Sequence, residues 1–313
     1  MREIGGYFEL ELNSGREYHS SAIRLNLGRT AFEYILRAKK VQKVFLPYYT
    51  CEVMLEPITR LGINYEFYSI NERLEPVFNY ALLNEADYFL YTNYFGVKDK
   101  LIRQLAKKIS NLIIDNSQAF YAKPLSGVDT FYSPRKFFGL PDGGYLYTDV
   151  IISSDFKKDN SSHRFEHLIG RIEENAETYY ALFRENDQKL KGQSIKNMSN
   201  ITSRLLLNID YKKVAKTRIT NFEYLHNRLS KSNLINFDYA SGDVPMVYPF
   251  LREDSELRER LIKNKIYTAC YWPTVKKWVT KESIEFIFST YIVSLPIDQR
   301  YNLDDMSTII KLI

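Results

Sequence analysis

Two neighbouring segments, LIIDNSQAF and DTFYSPRKFFGLPDGGYLYT, carry the residue types best suited to covalent chemistry on a carbonyl compound. The first ends an apolar run with Asp115 and sets Gln118 one short turn beyond it, in the position where an open parallel sheet binds its ligands. The second offers Lys136 in a Ser-Pro-Arg-Lys turn, followed by Gly139 and the loop Pro141, Asp142, Gly143, Gly144. A lysine amine attacks carbonyl carbon when its surroundings favour the neutral form, and a Schiff base is the product. Far upstream, Gly28, Arg29 and Thr30 open a helix whose free N–H groups and dipole attract a phosphate, and Gly28 permits close approach. The hydroxyl of Ser133 or of Thr130 adds a donor near the lysine. Each feature also has an ordinary reading: Asp115 as a strand-end cap, Lys136 as a solvated turn residue, Gly28 as a plain helix start. What argues against coincidence is their order, Asp-x-x-Gln and then Ser-x-x-Lys, each at a strand end, with a Gly-Gly loop after the second. A reactive amine, a carboxylate and a phosphate cup are what pyridoxal phosphate requires, the carboxylate keeping its pyridine nitrogen protonated.

The elements that must position these residues alternate between strand and helix. LGRTAFEYILRAKKVQKVFL places Ala31, Ile35 and Ala38 on one side of a helix and ends in the buried strand Val44 to Leu46. Glu52 to Leu61 is helical up to Gly62, INYEFYSI and DYFLYTNYF read as strands, VKDKLIRQLAKKI as a helix and NLIID as a short strand. Such alternation predicts an α/β fold with a mostly parallel central sheet flanked by helices, occupying residues 1–150. Residues 151–313 are expected to form long helices between Phe156 and Leu229 and a smaller C-terminal α+β domain. Its elements are the strand VPMVYPFL, the helix SELRERLIKNKI, the strand TACYWP and the closing helix DDMSTIIKLI.

Composition narrows the classes. The chain has 313 residues, 45% apolar and 26% charged, which excludes a disordered tail and a minimal binding module. Its net charge of +5 comes from 43 basic and 38 acidic residues spread along the chain, so no nucleic-acid partner is expected. Cys51 and Cys270 build no disulfide framework, and with four histidines they show no metal-ligand spacing, so no metal is expected. The opening MREIGGYFELELNSG alternates polar and apolar residues without the apolar core of a signal peptide, and no stretch is long enough to cross a bilayer. A cytoplasmic protein with no membrane association is the expectation.

At these residues the sequence resembles the DegT/DnrJ/StrS family of sugar aminotransferases, which use pyridoxal phosphate on the fold type I aminotransferase architecture. The resemblance spans nearly the whole chain. LGRTAFEYIL matches the family's glycine-containing helix start, VFLPYYTCEVMLEPI its proline-led segment and YTNYFG a strand ending near glycine. Its most specific elements are Asp115 with Gln118, and the Pro-x-Lys turn running to Asp-Gly-Gly, here Pro134 to Gly144. KNMSNITSRLLLNIDYKKV and LPIDQRYNLDDM match later family segments. The resemblance implies that Lys136 forms the internal aldimine, that Asp115 pairs with the pyridine nitrogen, and that Gln118 contacts the cofactor ring. Two departures stand out. Cys51 follows Thr50 where the family carries a ring-stacking aromatic residue, with Tyr49 as the nearby substitute. Ile195, Lys196 and Asn197 stand where it carries an Asn-Tyr-Arg element serving the neighbouring subunit's site. The implied activity is transfer of an amino group from an amino-acid donor to a keto sugar, nucleotide-linked, in a homodimer. Another sugar reaction on the same cofactor is the nearest alternative, and Lys136 argues against dehydration because the dehydrating relatives carry histidine there. A catalytically silent or regulatory protein of the same fold is the other. Arg300 is a candidate anion binder or salt-bridge partner, and Tyr271 and Trp272 are candidates for a pocket wall or for core packing.

Overall fold

The computed structural model describes residues 4–313, so Met1, Arg2 and Glu3 of the opening segment lie outside it. Along the chain the first half runs β1 (Ile23–Leu25), α1 (Gly28–Ala38), β2 (Lys43–Pro47), α2 (Leu55–Leu61), β3 (Asn64–Ile70) and β4 (Pro76–Val77). It continues with β5 (Tyr88–Thr92), α3 (Asp99–Leu105), β6 (Leu112–Asp115), β7 (Asp129–Tyr132) and β8 (Gly144–Tyr147). These strands form one sheet in the order β1-β8-β7-β6-β5-β2-β3-β4. The pairs β3/β2, β2/β5, β5/β6 and β6/β7 are parallel, while β8 and β1 extend one edge and β4 the other by antiparallel pairing. This is the expected mostly parallel sheet.

Strand alternation explains how the sheet is covered on both sides. Val44, Leu46, Leu90, Ile113, Phe131 and Leu146 point to one face and pack against Ala31, Phe32, Ile35 and Leu36 of α1. Their neighbours Phe45, Phe89, Tyr91, Leu112 and Ile114 point to the other. There they meet the later elements of the second half of the chain, which runs α4 (Glu166–Glu173), α5 (Tyr180–Lys189), α6 (Asn200–Leu207), α7 (Tyr211–Leu229), β9 (Tyr248–Leu251), α8 (Leu257–Lys263), α9 (Ile284–Tyr291), β10 (Ile292–Leu295) and α10 (Leu303–Lys311). Phe222 and Leu225 of α7, Phe250 of β9, Leu295 of β10 and Met306 of α10 all belong to that second core.

Several local expectations are corrected here. Of the helices between Phe156 and Leu229, only α7 is long, at 19 residues, while α4, α5 and α6 span 8, 10 and 8. Asn175, whose side chain accepts from the N–H groups of Glu177 and Thr178, builds a turn that separates α4 from α5. The strand expected at VPMVYPFL starts only at Tyr248, because Pro245 has no N–H to give and the Met246 N–H is taken by the Phe95 carbonyl. TACYWP forms no strand beyond a single bridge from Ala269 to Ser294: the Tyr271 carbonyl accepts from the Tyr49 hydroxyl and Pro273 starts a 3-10 turn. Gly62 does end α2, in the left-handed conformation (φ 64°) that glycine adopts without strain.

The segment ahead of β1 is fastened by His19, which is 1% exposed. Its Nε2 lies 2.7 Å from the Phe120 carbonyl and its Nδ1 3.1 Å from the Tyr147 hydroxyl. A carbonyl only accepts, so Nε2 carries the proton and the tyrosine donates to Nδ1. Burial pushes the imidazole down to about 4 against the opposing pull of the Phe120 carbonyl. The folded state therefore binds fewer protons than the unfolded chain between the ordinary histidine value and about 4, and stability falls as pH falls through that window. The shift corresponds to about 3 kcal/mol lost by pH 4. Denaturant melts at pH 7 and pH 4.5 should show this loss, and His19→Gln should be less pH-sensitive by a similar amount; an unchanged pH slope in the variant would place the proton sensitivity elsewhere.

Candidate active site

The carboxyl ends of β2, β5, β6 and β7 lie at one edge of the parallel block, and the strand order reverses between β2 and β5. Open α/β sheets bind ligands at such a switch point. Strand β1, antiparallel to β8, which is itself antiparallel to β7, ends at the same edge and delivers the start of α1 there.

Four expected residues meet at this edge. Asp115 is the last residue of β6, 6% exposed at the end of a strand with no exposed position. Burial raises its carboxyl above the ordinary range, opposed by hydrogen bonds from Ser117, whose N–H donates to Oδ1 at 2.8 Å, and by the charge of Lys136. Lys136 closes a 3-10 turn from Pro134 that Ser133 caps, with its N–H on the Ser133 carbonyl at 3.2 Å. Lys136 is exposed as a residue, and its amine stands over the Tyr271 ring, 5.6 Å from its centroid. Gln118 is buried, and its Oε1 accepts from the Phe95 N–H at 2.8 Å, which leaves Nε2 as a buried donor with no hydrogen-bond partner among the described residues. Gly96, beside it, must be glycine: its φ is +77°, and a Cβ would sit 2.9 Å from the Gln118 carbonyl oxygen.

The phosphate cup is built only in part as expected. A Cβ on Gly28 would meet Ser133 Cβ at 3.4 Å and Ser117 Oγ and the Tyr132 carbonyl at 3.5 Å, so the start of α1 faces both serines across a narrow cradle. The side chains of Arg29 and Thr30 turn elsewhere. Arg29 forks Glu56 at 2.7 and 2.8 Å, and the Thr30 hydroxyl bonds Asn26 and the backbone of Leu27. Both residues bring only backbone N–H groups, which no helix can satisfy internally at its first turn. Thr130 is likewise committed, donating to the Val128 carbonyl.

Other side chains reach the lysine from distant segments, among them Cys51 and Tyr271, both singled out in the sequence. Cys51 follows β2; burial pushes its thiol up, opposed by the fields of Lys136 and Arg29 and by the backbone of Val53. Tyr49, the substitute stacking residue, is instead core, packed against Tyr94 and Trp272. Tyr271 reaches Lys136 in its place, its phenol pushed up to about 12 by burial. From α5, Asp187 bonds Arg135 at 2.7 Å, and although burial raises it, Arg135, Lys136 and Arg29 together hold its carboxyl below the ordinary range. Asp187 had no signal beyond type, because its partner Arg135 is far away in the chain, and Ser117 had none although it lies inside the Asp-x-x-Gln motif. Arg300 forks Asp298, which is the salt-bridge reading.

No protein-family model and no curated protein matches the sequence. Solved structures do match the fold. The sugar aminotransferase CalS13 from Micromonospora echinospora aligns over 94% of this chain and 86% of its own at 15% identity and a TM-score of 0.64. A DegT DnrJ EryC1 StrS aminotransferase from Brucella abortus aligns over 93% and 84% at 15% identity and 0.59. NtdA from Bacillus subtilis with bound cofactor PMP aligns over 93% and 73% at 15% identity and 0.63. The architecture is that of the fold type I aminotransferases.

A carboxylate kept for a ligand and one kept as a strand-end cap respond differently to amidation. Asn at 115 can still accept from Ser117 but carries no buried charge, so Asp115→Asn should hold or raise the stability of the ligand-free protein by about 1 kcal/mol. Thermal melts decide between the two, and a clear loss of stability would return Asp115 to the role of a cap.

Proposed function

We propose that this chain is an aminotransferase of the DegT/DnrJ/StrS kind that uses pyridoxal phosphate to move an amino group from an amino-acid donor to a keto sugar, nucleotide-linked. The observation that carries the reading is the meeting at one sheet edge of the Lys136 amine with the buried Asp115 carboxylate. Two further features support the cofactor's fit: the Gln118 Nε2 donor that lacks a partner among the described residues, and the Gly28 cradle facing Ser133 and Ser117. The neighbour with bound PMP and the neighbour described as a sugar aminotransferase agree with it.

When bound, pyridoxal phosphate supplies an aldehyde that condenses with amines and a protonated ring that accepts electrons as the neighbouring carbon loses its proton. Asp115, held ionised by a ring cation, would keep that nitrogen protonated. Gln118, its oxygen already engaged by Phe95, has an N–H donor left over that would contact the ring. The N–H groups of Gly28, Arg29 and Thr30 and the hydroxyl of Ser133 would take the phosphate. Lys136 Nζ would hold the cofactor and, once freed by the donor amine, would carry the proton that the transfer moves. The sugar, its nucleotide and a homodimer rest on the family resemblance, and a cytoplasmic setting on the sequence pattern; among the described residues no helix is long and apolar enough to cross a membrane.

A second reading, cofactor binding without turnover, is favoured by Lys196. At the place of the family's Asn-Tyr-Arg element it is tied to Asp159 at 3.0 Å and to Gln193 at 3.1 Å within its own chain. Addition of an amino donor to the loaded protein separates the two, since only an enzyme bleaches the cofactor's visible band. Lys136→Ala should abolish both that band's lysine-linked form and turnover; a purified variant that keeps both would defeat the assignment.

A further inference from the structure

Arg218 of α7 is the largest side chain with essentially no exposure, at 2%, and no carboxylate lies within ion-pair distance of it among the described residues. Asp298, whose field favours its charge, is itself forked by Arg300. Burial lowers the guanidinium to about 10, so it remains charged at neutral pH. A buried cation held without an ion pair is costly, and its hydrogen bonds show what it is kept for.

Those bonds run to both sides of the site. Nη2 donates to the Phe137 carbonyl at 3.2 Å, the residue directly after Lys136, and the guanidinium lies over the Phe137 ring at 4.5 Å. Nε donates to Gln299 Oε1 at 3.2 Å, which orients Gln299 so that its Nε2 reaches the same Phe137 carbonyl at 2.9 Å. In the other direction Nη1 donates to the Met246 carbonyl at 2.8 Å. Met246 in turn donates its N–H to the Phe95 carbonyl at 2.9 Å, and Phe95 donates its own N–H to Gln118 Oε1. Phe95 makes both contacts from a left-handed backbone (φ 57°), a conformation that costs a non-glycine residue energy and that surrounding bonds must hold in place.

We infer that Arg218 is a positioning residue that, from the C-terminal half, locks two parts of the cofactor site at once: the turn bearing Lys136, through Phe137, and the amide orientation of Gln118, through Met246 and Phe95. This role rests on the functional reading above and adds to it the group that sets the lysine and the ring contact relative to each other. Guanidinium geometry is essential, because its divergent nitrogens serve Gln299, Phe137 and Met246 together, whereas a single ammonium cannot span the three. Gln299 is the accessory, doubling the grip on Phe137.

The test compares the parent protein, Arg218→Lys and Gln299→Ala after loading with pyridoxal phosphate. Induced circular dichroism of the visible band, per bound cofactor, reports how the ring is held, and a merely structural role would leave it unchanged in variants that melt cooperatively. Both variants should show a weakened signal and a cofactor Kd raised about tenfold or more, with kcat falling further than KM for the donor rises. If Arg218→Lys does not fold, Gln299→Ala decides. Folded variants with parental circular dichroism and Kd overturn the role while leaving the functional reading intact. A parent that forms no visible band overturns that reading and this role with it.

Discussion

A carboxylate at the end of a fully buried strand is the constraint around which the site is arranged. Water would stabilise the Asp115 charge, and the sheet excludes it; Ser117 and the field of Lys136 return only part of what is lost, so the acid stays raised. Proteins keep such groups where they serve chemistry. A cationic ring nitrogen bound against Asp115 would complete the compensation, so the cost in the ligand-free protein becomes affinity for one kind of ligand. The parallel strands make this possible, since they bring Asp115, Ser133, Phe95 and Cys51 to a single edge while their apolar runs keep the floor of the site dry.

Much of this was legible in the sequence where the signal is local. The strand NLIID ending in Asp115, the Ser-Pro-Arg-Lys turn and the helix start at Gly28 are each written in a few consecutive residues, and the alternation of strand and helix patterns carries the parallel sheet. What pattern missed depends on which partner each side chain finds in the folded state. Nothing in the type of Arg29 or Thr30 tells that Glu56 and Asn26 claim their side chains and leave only their N–H groups for an anion. Tyr49 reads as a pocket aromatic until Tyr94 and Trp272 surround it. The TACYWP segment has strand composition, yet its backbone is spent on Tyr49 and broken by Pro273.

The C-terminal half does more than cover the sheet. Its α7 supplies a buried guanidinium to the backbone beside the lysine, its Met246 N–H holds the Phe95 carbonyl, and Tyr271 lies beneath the amine. The C-terminal half and the edge that carries Asp115 and Lys136 are thus joined by directed hydrogen bonds, which fix angles as well as distances, and not by apolar contact alone. That coupling explains why irregular backbone is tolerated at Phe95 and at the strand that begins late, at Tyr248.

The central claim is that one amine of this chain holds pyridoxal phosphate against Asp115. Borohydride reduction of the protein loaded with one equivalent of the cofactor, followed by peptide mass mapping, tests it most directly. The reduced adduct should lie on Lys136, in the peptide spanning Ser133 to Gly139, in near-stoichiometric yield. An adduct scattered over surface lysines, or none at all, would contradict it.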